Sequence, residues 1–152
     1  MTDSNPDTRL DAWRFFITLH PKVIAKIDGD LQQNGGISLQ QYDVLIELFE
    51  AEGKQLRMFD LAQRVVLSRS SITRLVDQLA QQGFLQREID PNDRRGSYAV
   101  LTDAGEAAIR SSWPLYRDAI QEWFGQFLTD EEAEIMAKAL NRIHNGIDQQ
   151  LT

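Results

Sequence analysis

The chain is 152 residues long and 42% hydrophobic, enough to bury a core and too apolar for a disordered polypeptide. Its net charge of −7 weighs against a nucleic-acid partner if the charge is evenly spread, and the absence of cysteine excludes disulfides, thiolate metal sites and thiol redox sensing. No apolar run reaches the roughly 18 residues of a membrane span, and the polar, acidic start Met1–Asp7 is unlike a signal or transit peptide, so a cytoplasmic location without a membrane partner is expected.

In chain order, a first helix is expected from about Arg9 to Gln33, where Leu10, Trp13, Phe16, Ile17, Val23, Ile24 and Ile27 recur near helical spacing. Pro21 should interrupt or kink it, and Asn34-Gly35-Gly36 ends it. Ser38 and Gln41 then form a capping box for a second helix whose buried stripe is Tyr42, Leu45, Ile46 and Phe49, with Gly53 as its stop. Gln55–Met58 reads as one short strand, and a third helix covers roughly Phe59 to Val65. Ser68 caps a fourth helix, with Ile72, Leu75, Val76 and Leu79 inward and Gly83 at its end.

Phe84–Ile89 and Ser97–Leu101 flank the turn Asp90-Pro91-Asn92-Asp93 and read as a hairpin. Thr102 caps a fifth helix running to about Leu128, bent at Pro114, and Thr129 with Glu132 starts a sixth that includes Ile135, Met136, Ala139, Leu140 and Ile143. The expected class is mainly α with a small β-hairpin: a short helix, a tight turn, a second capped helix, then a basic wing.

The charge is not evenly spread. From Arg57 to Arg95 seven arginines stand against five acidic residues, whereas the rest of the chain carries nine basic and eighteen acidic side chains. Screening confines electrostatics to about 10 Å or less in physiological salt, so the local balance outweighs the total. A DNA-facing middle on an acidic scaffold is the expectation.

On the fourth helix, burial of the apolar stripe leaves Ser70, Ser71, Thr73, Arg74, Asp77 and Gln78 outside. Short serines near the N-terminus let the backbone approach a duplex closely. One turn on, Arg74 can pair with guanine O6/N7 and Gln78 with adenine N6/N7. Thr73 suits a phosphate, and Ser68 sits at the cap. The alternative for this face is plain solvation; for Arg64 and Arg69, phosphate contact and surface charge stay equally open.

In the hairpin, Arg94 and Arg95 are expected at the tip, where arginine favours the negative potential of a narrow minor groove. Asp93 joins this group by holding the tip in shape, through Arg95 or the turn backbone. An ordinary polar turn explains Asp90-Pro91-Asn92 but not the paired arginines.

The segments Ser68–Leu79 and Asp90–Gly96, followed by Val100-Leu101-Thr102 and Gly105, resemble the multiple-antibiotic-resistance regulator (MarR) family of bacterial winged-helix repressors. The resemblance runs from about Trp13 to Leu140. It implies a winged helix-turn-helix over residues 37–102, dimerisation helices over 9–36 and 103–152, and a homodimer that controls transcription. It also implies release from DNA by a small effector, often an aromatic acid or phenolic compound.

Aromatic residues near both ends (Trp13, Phe15, Phe16, Trp113, Tyr116, Trp123, Phe124, Phe127) suit a core or dimer interface better than a ligand box. If an effector site exists beside them, Trp13, Arg14 and His20 are its candidates. His20 and His144 lack metal-ligand spacing, and no catalytic motif is present, so neither cofactor nor enzyme is expected. The expected function is sequence-specific binding of double-stranded DNA at a pseudopalindromic operator. The rival, supported by the acidic total, is a ligand-binding or protein-interaction module on the same scaffold that does not regulate DNA.

Overall fold

The computed structural model describes residues 7–65 and 69–150, with Arg69 and Ser70 in backbone only. The elements run α1 (Thr8–Gln33), α2 (Leu39–Glu50), β1 (Gln55–Arg57), α3 (Met58–Arg64), α4 (Arg69–Gln81), β2 (Leu85–Asp90), β3 (Asp93–Leu101), α5 (Asp103–Trp123) and α6 (Asp130–Gln150). The three strands form one antiparallel sheet in the order β1-β3-β2. This is a mainly helical winged-helix architecture. Among the described residues, no helix is long and apolar enough to cross a membrane.

Two compact units divide the chain: residues 27–117, and the terminal stretches up to Lys26 and from Asp118 onward. The central unit reaches beyond 37–102 because both neighbouring helices feed its packing. Ile27 and Leu31 at the end of α1 and Ile109 of α5 are buried. Gly36 lies so close to Leu31 that a Cβ there would meet the Leu31 carbonyl at 2.9 Å and Leu115 at 3.4 Å.

Local chemistry sets the ends of these elements. Helix α1 passes through Pro21 and ends in a Schellman motif, with Gly36 N–H donating to the Leu31 carbonyl at 2.7 Å and Gly35, at φ +84°, donating to Gln32 at 3.3 Å. Ser38 and Gln41 form the expected capping box, and the next amide, Leu39 N–H, donates to Asp28 at 2.8 Å. The core joins Val44, Leu45 and Leu48 of α2 to Leu61, Val76 and Leu79 of α3 and α4 and to Leu56, Leu85, Ala99 and Leu101 of the sheet. In α2 the fully buried stripe is thus Val44, Leu45 and Leu48 with Leu39 and Tyr42, while Ile46 and Phe49 are half-buried at its edge.

Three expected boundaries move. Helix α2 stops at Glu50, where Ala51 turns extended, and Gly53 (φ +67°) instead serves the turn into β1. Helix α5 ends at Trp123 rather than Leu128, because Phe124 leaves helical geometry and Gly125–Phe127 form a single 3-10 turn. Strand β3 begins at Asp93, four residues earlier than Ser97, so the wing is longer than its apolar content signals.

In the terminal unit, Thr129 and Glu132 cap α6 reciprocally: Glu132 N–H donates to Thr129 Oγ1 at 3.2 Å and Thr129 N–H to Glu132 Oε2 at 2.9 Å. The Thr129 N–H bond, with a second from the Thr129 hydroxyl to the same Oε2 at 3.1 Å, holds the Glu132 carboxyl below its usual pKa. The apolar residues of these helices stay largely outside the core of the single chain, with Trp13 60%, Phe15 71%, Phe127 72% and Ile135 61% exposed.

Candidate nucleic-acid interface

Helix α4 is amphipathic in the way a groove-reading helix requires. Ile72, Leu75, Val76 and Leu79 are buried, which turns Ser71, Thr73, Arg74, Asp77 and Gln78 to the exposed face. The helix ends in its own Schellman motif: Phe84 N–H donates to Leu79 O at 2.9 Å and Gly83 N–H to Ala80 O at 3.0 Å, with Gly83 at φ +78°. Gln41 of α2 donates to Gln82 at 3.0 Å, bracing that end.

Ser71, Arg74 and Gln78 line one shallow depression of about 200 Å³, together with Leu75 and Gln40. Ser68 lies outside the described residues, and the side chain of Ser70 is not described. Gln40, from the first turn of α2, is a neighbour that the sequence reading missed. Its outward position beside the capping-box residue Gln41 was a readable signal, but its approach to Arg74 arises only from the packing of α2 on α4.

The wing differs from a simple hairpin tip. The pairing steps from Ile89↔Ser97 to Asp90↔Asp93, so Arg94, Arg95 and Gly96 have no partner on β2. The two arginines therefore sit in a bulge on the returning strand, one residue past the turn, rather than at the tip. Bulges re-aim side chains in this way and are common beside functional sites. Arg94 and Arg95 are both exposed. Asp93 holds the segment through the backbone, its carboxylate accepting the Arg95 N–H at 3.0 Å.

Three middle arginines are already engaged within the chain. Arg87 of β2 meets Asp77 on the exposed face of α4 at 2.7 Å, tethering wing to helix, and Arg64 meets Glu47 at 3.6 Å. Arg57 of β1 pairs with Asp90, donates Nε–H to the Tyr98 hydroxyl at 3.1 Å, and stacks on the Tyr98 ring at 5.6 Å. The Tyr98 bond, then the Asp90 charge, raise the Arg57 pKa above its ordinary value. The basic surplus of the middle is thus concentrated in Arg74, Arg94 and Arg95, with Arg69 not described in side chain. Sequence counting could not separate the two groups, because every partner except the Arg87–Asp77 pair lies more than fifteen residues away.

The effector candidates are less well assembled. Trp13 and Phe16 rings lie 6.2 Å apart and Phe16 and His20 6.3 Å apart, so Trp13 and His20 belong to one line of rings on α1. Arg14, one residue after Trp13, projects about 100° around the helix from it. All three are exposed. No group of three or more metal-ligating side chains occurs among the described residues.

A three-stranded sheet with a helix-turn-helix, a polar outer face on its second helix and a bulged arginine wing defines the winged-helix class. The sequence model of the MarR family matches residues 37–97. The chain is 32% identical over 92 residues to the uncharacterized HTH-type transcriptional regulator YkoM of Bacillus subtilis, covering 60% of this chain and 59% of that protein. It is 30% identical over 105 residues to the HTH-type transcriptional repressor YetL of the same organism, covering 69% and 62%. The match thus spans less than two thirds of either relative's length. A solved structure of Sco3205, a MarR family transcriptional regulator from Streptomyces coelicolor in complex with DNA, superposes with a TM-score of 0.81 at 28% identity, covering 95% of this chain and 91% of that one. Residues 37–97 are thus similar to the MarR family of transcriptional regulators, and the likeness to its solved members extends over nearly the whole chain, the structure of AbsC from Streptomyces coelicolor superposing at a TM-score of 0.81 and 29% identity over 97% of this chain.

Proposed function

We propose that this protein is a cytoplasmic, homodimeric repressor of transcription that binds a pseudopalindromic site on double-stranded DNA. The carrying observation is the pairing of an exposed, continuous Ser71–Arg74–Gln78 surface on α4 with the bulged Arg94–Arg95 of the wing. In this reading Arg74 and Gln78 read base edges, Ser71, Thr73 and the first turn of α4 with Ser68 and Ser70 meet the backbone, and Arg94 and Arg95 enter the minor groove while Asp93 shapes their bulge. The named repressor YetL and the DNA complex of Sco3205 support the direction of the proposal.

Dimerisation is supported by the apolar residues that α1 and α6 leave exposed, among them Trp13, Phe16, Ile135, Ile143 and Ile147. So much apolar surface on terminal helices is what a self-complementary partner covers, with residues 9–36 and 103–152 as the dimerisation region. Two recognition helices would then reach successive major grooves about one helical turn apart. Sedimentation equilibrium is expected to give twice the chain mass of 17.4 kDa at micromolar concentration; a monomer there rejects this part of the reading.

A gel shift at moderate salt, using DNA from the protein's own upstream region or a duplex selected from a random library, tests the whole. The rival reading, a ligand-binding or interaction module, is favoured by the net charge of −7 and predicts no shifted band. Arg94→Ala and Arg95→Ala are each expected to weaken binding evenly across sequences and to lower the slope of log affinity against log salt by about one unit. An unchanged slope removes the wing from the interface. For the effector, the ring line Trp13–Phe16–His20 is the better half of the candidate set and Arg14 the weaker. A small aromatic acid that raises the melting temperature of the free protein and loosens the complex would establish the linkage.

A further inference from the structure

Arg57 and Asp90 lie beneath the wing in an arrangement that the DNA-contact reading leaves unused. Asp90 is only 2% exposed, an unusual state for a carboxylate unless it is paired. One of its oxygens takes the Arg57 guanidinium, and the other accepts the Asn92 N–H of the turn at 2.9 Å. Arg57 stands directly across the ladder from Tyr98 and bonds its hydroxyl, so the guanidinium ties β1 to both β2 and β3. Gly96, which closes the bulge, lies against the same carboxylate: a Cβ there would be 3.4 Å from Asp90 Cβ and 3.6 Å from its Oδ2.

The pairing ladder does not hold Arg94, Arg95 and Gly96, since these have no partners on β2. Against the bulge lie Asp90 and, through the Arg95 N–H, Asp93; Asp90 in turn is held by Arg57 and by the Asn92 N–H. We infer that Arg57 and Asp90 form a clamp at the wing root, with Arg57 a positioning residue that governs DNA binding by fixing the Arg94–Arg95 bulge and not by touching the duplex. The inference rests on the wing reading above. Its competitor is direct phosphate contact, because the Arg57 side chain is 46% exposed.

The two readings predict opposite signs for Asp90→Asn. If Arg57 touches phosphate, removing the carboxylate that neutralises it strengthens binding. If the clamp positions the wing, Asp90→Asn loosens the bulge and weakens binding to the selected duplex by about tenfold. In the free protein, with no DNA present, amide hydrogen exchange over Arg94–Ser97 is expected to quicken in Asp90→Asn while α4 amides keep their protection. Arg57→Gln, which leaves Asp90 bonded to Asn92, is the second variant should Asp90→Asn unfold.

In a double-mutant cycle, the loss from Arg57→Gln is expected to shrink to less than twofold when Arg94 and Arg95 are already alanine. Tighter binding by Asp90→Asn, unchanged wing exchange, or a fully additive cycle each overturns the clamp. Failure of the wild-type protein to select any duplex defeats the DNA reading instead, and the exchange measurement still decides whether the clamp holds the wing.

Discussion

Arg74→Ala is expected to weaken binding to the selected duplex by about 1–3 kcal/mol, roughly 5- to 150-fold, and to relax preference at one base pair. Arg74 is exposed on α4, lines the same depression as Ser71 and Gln78, and forms no ion pair with another described residue. Its guanidinium is therefore available without first breaking an internal contact, unlike those of Arg57, Arg64 and Arg87. A bidentate arginine contact discriminates one base pair, whereas a phosphate contact weakens all sequences alike. Competition with duplexes changed one base pair at a time distinguishes these. Unchanged affinity and preference would remove α4 from the role of recognition helix.

The second large effect concerns stability. A Cβ at Gly105 would lie 2.0 Å from the Phe84 carbonyl oxygen and 2.7 Å from Leu101 Cδ1. The obstruction is backbone, and it is pinned: Phe84 O accepts the Thr102 N–H at 3.2 Å, while the Thr102 hydroxyl donates to Gly83 O at 2.6 Å and accepts the Gly105 N–H at 3.1 Å. Alanine would gain about 1 kcal/mol of helix propensity, against an overpacking cost at or above the upper end of about 1–3 kcal/mol. Gly105→Ala is thus expected to destabilise the protein by about 2 kcal/mol, lowering the melting temperature by several degrees. A melting temperature equal to or above that of the wild type would show that the start of α5 can move away freely.

That contact also explains why Leu101, Thr102 and Gly105 belong together as a motif. Sequence spacing shows a capped helix start; the reason for glycine is a carbonyl from a segment about twenty residues earlier. The same division runs through the site. Ser38 with Gln41, Thr129 with Glu132 and the stops at Gly35 and Gly83 were legible because capping is a contest among neighbours in the chain. The buried stripe of α4 was legible because a helix repeats every 3.6 residues, and that stripe fixes which polar residues face outward. Less legible was the wing, where composition marks a turn but not a three-residue offset in register. The bulge leaves no periodic trace.

The order of helices and strands, the two faces of α4 and the basic bias of the middle were therefore determined by the residues alone, since each depends on local geometry and burial periodicity. Tertiary structure decided which arginines are left for a partner. Arg57 is engaged by Asp90 and Tyr98 and Arg64 by Glu47 at 3.6 Å, while exposed Arg74, Arg94 and Arg95 form no ion pair with another described residue. An ion pair depends on distance in space, and residues 33 apart in sequence, such as Arg57 and Asp90, meet only after the sheet has closed.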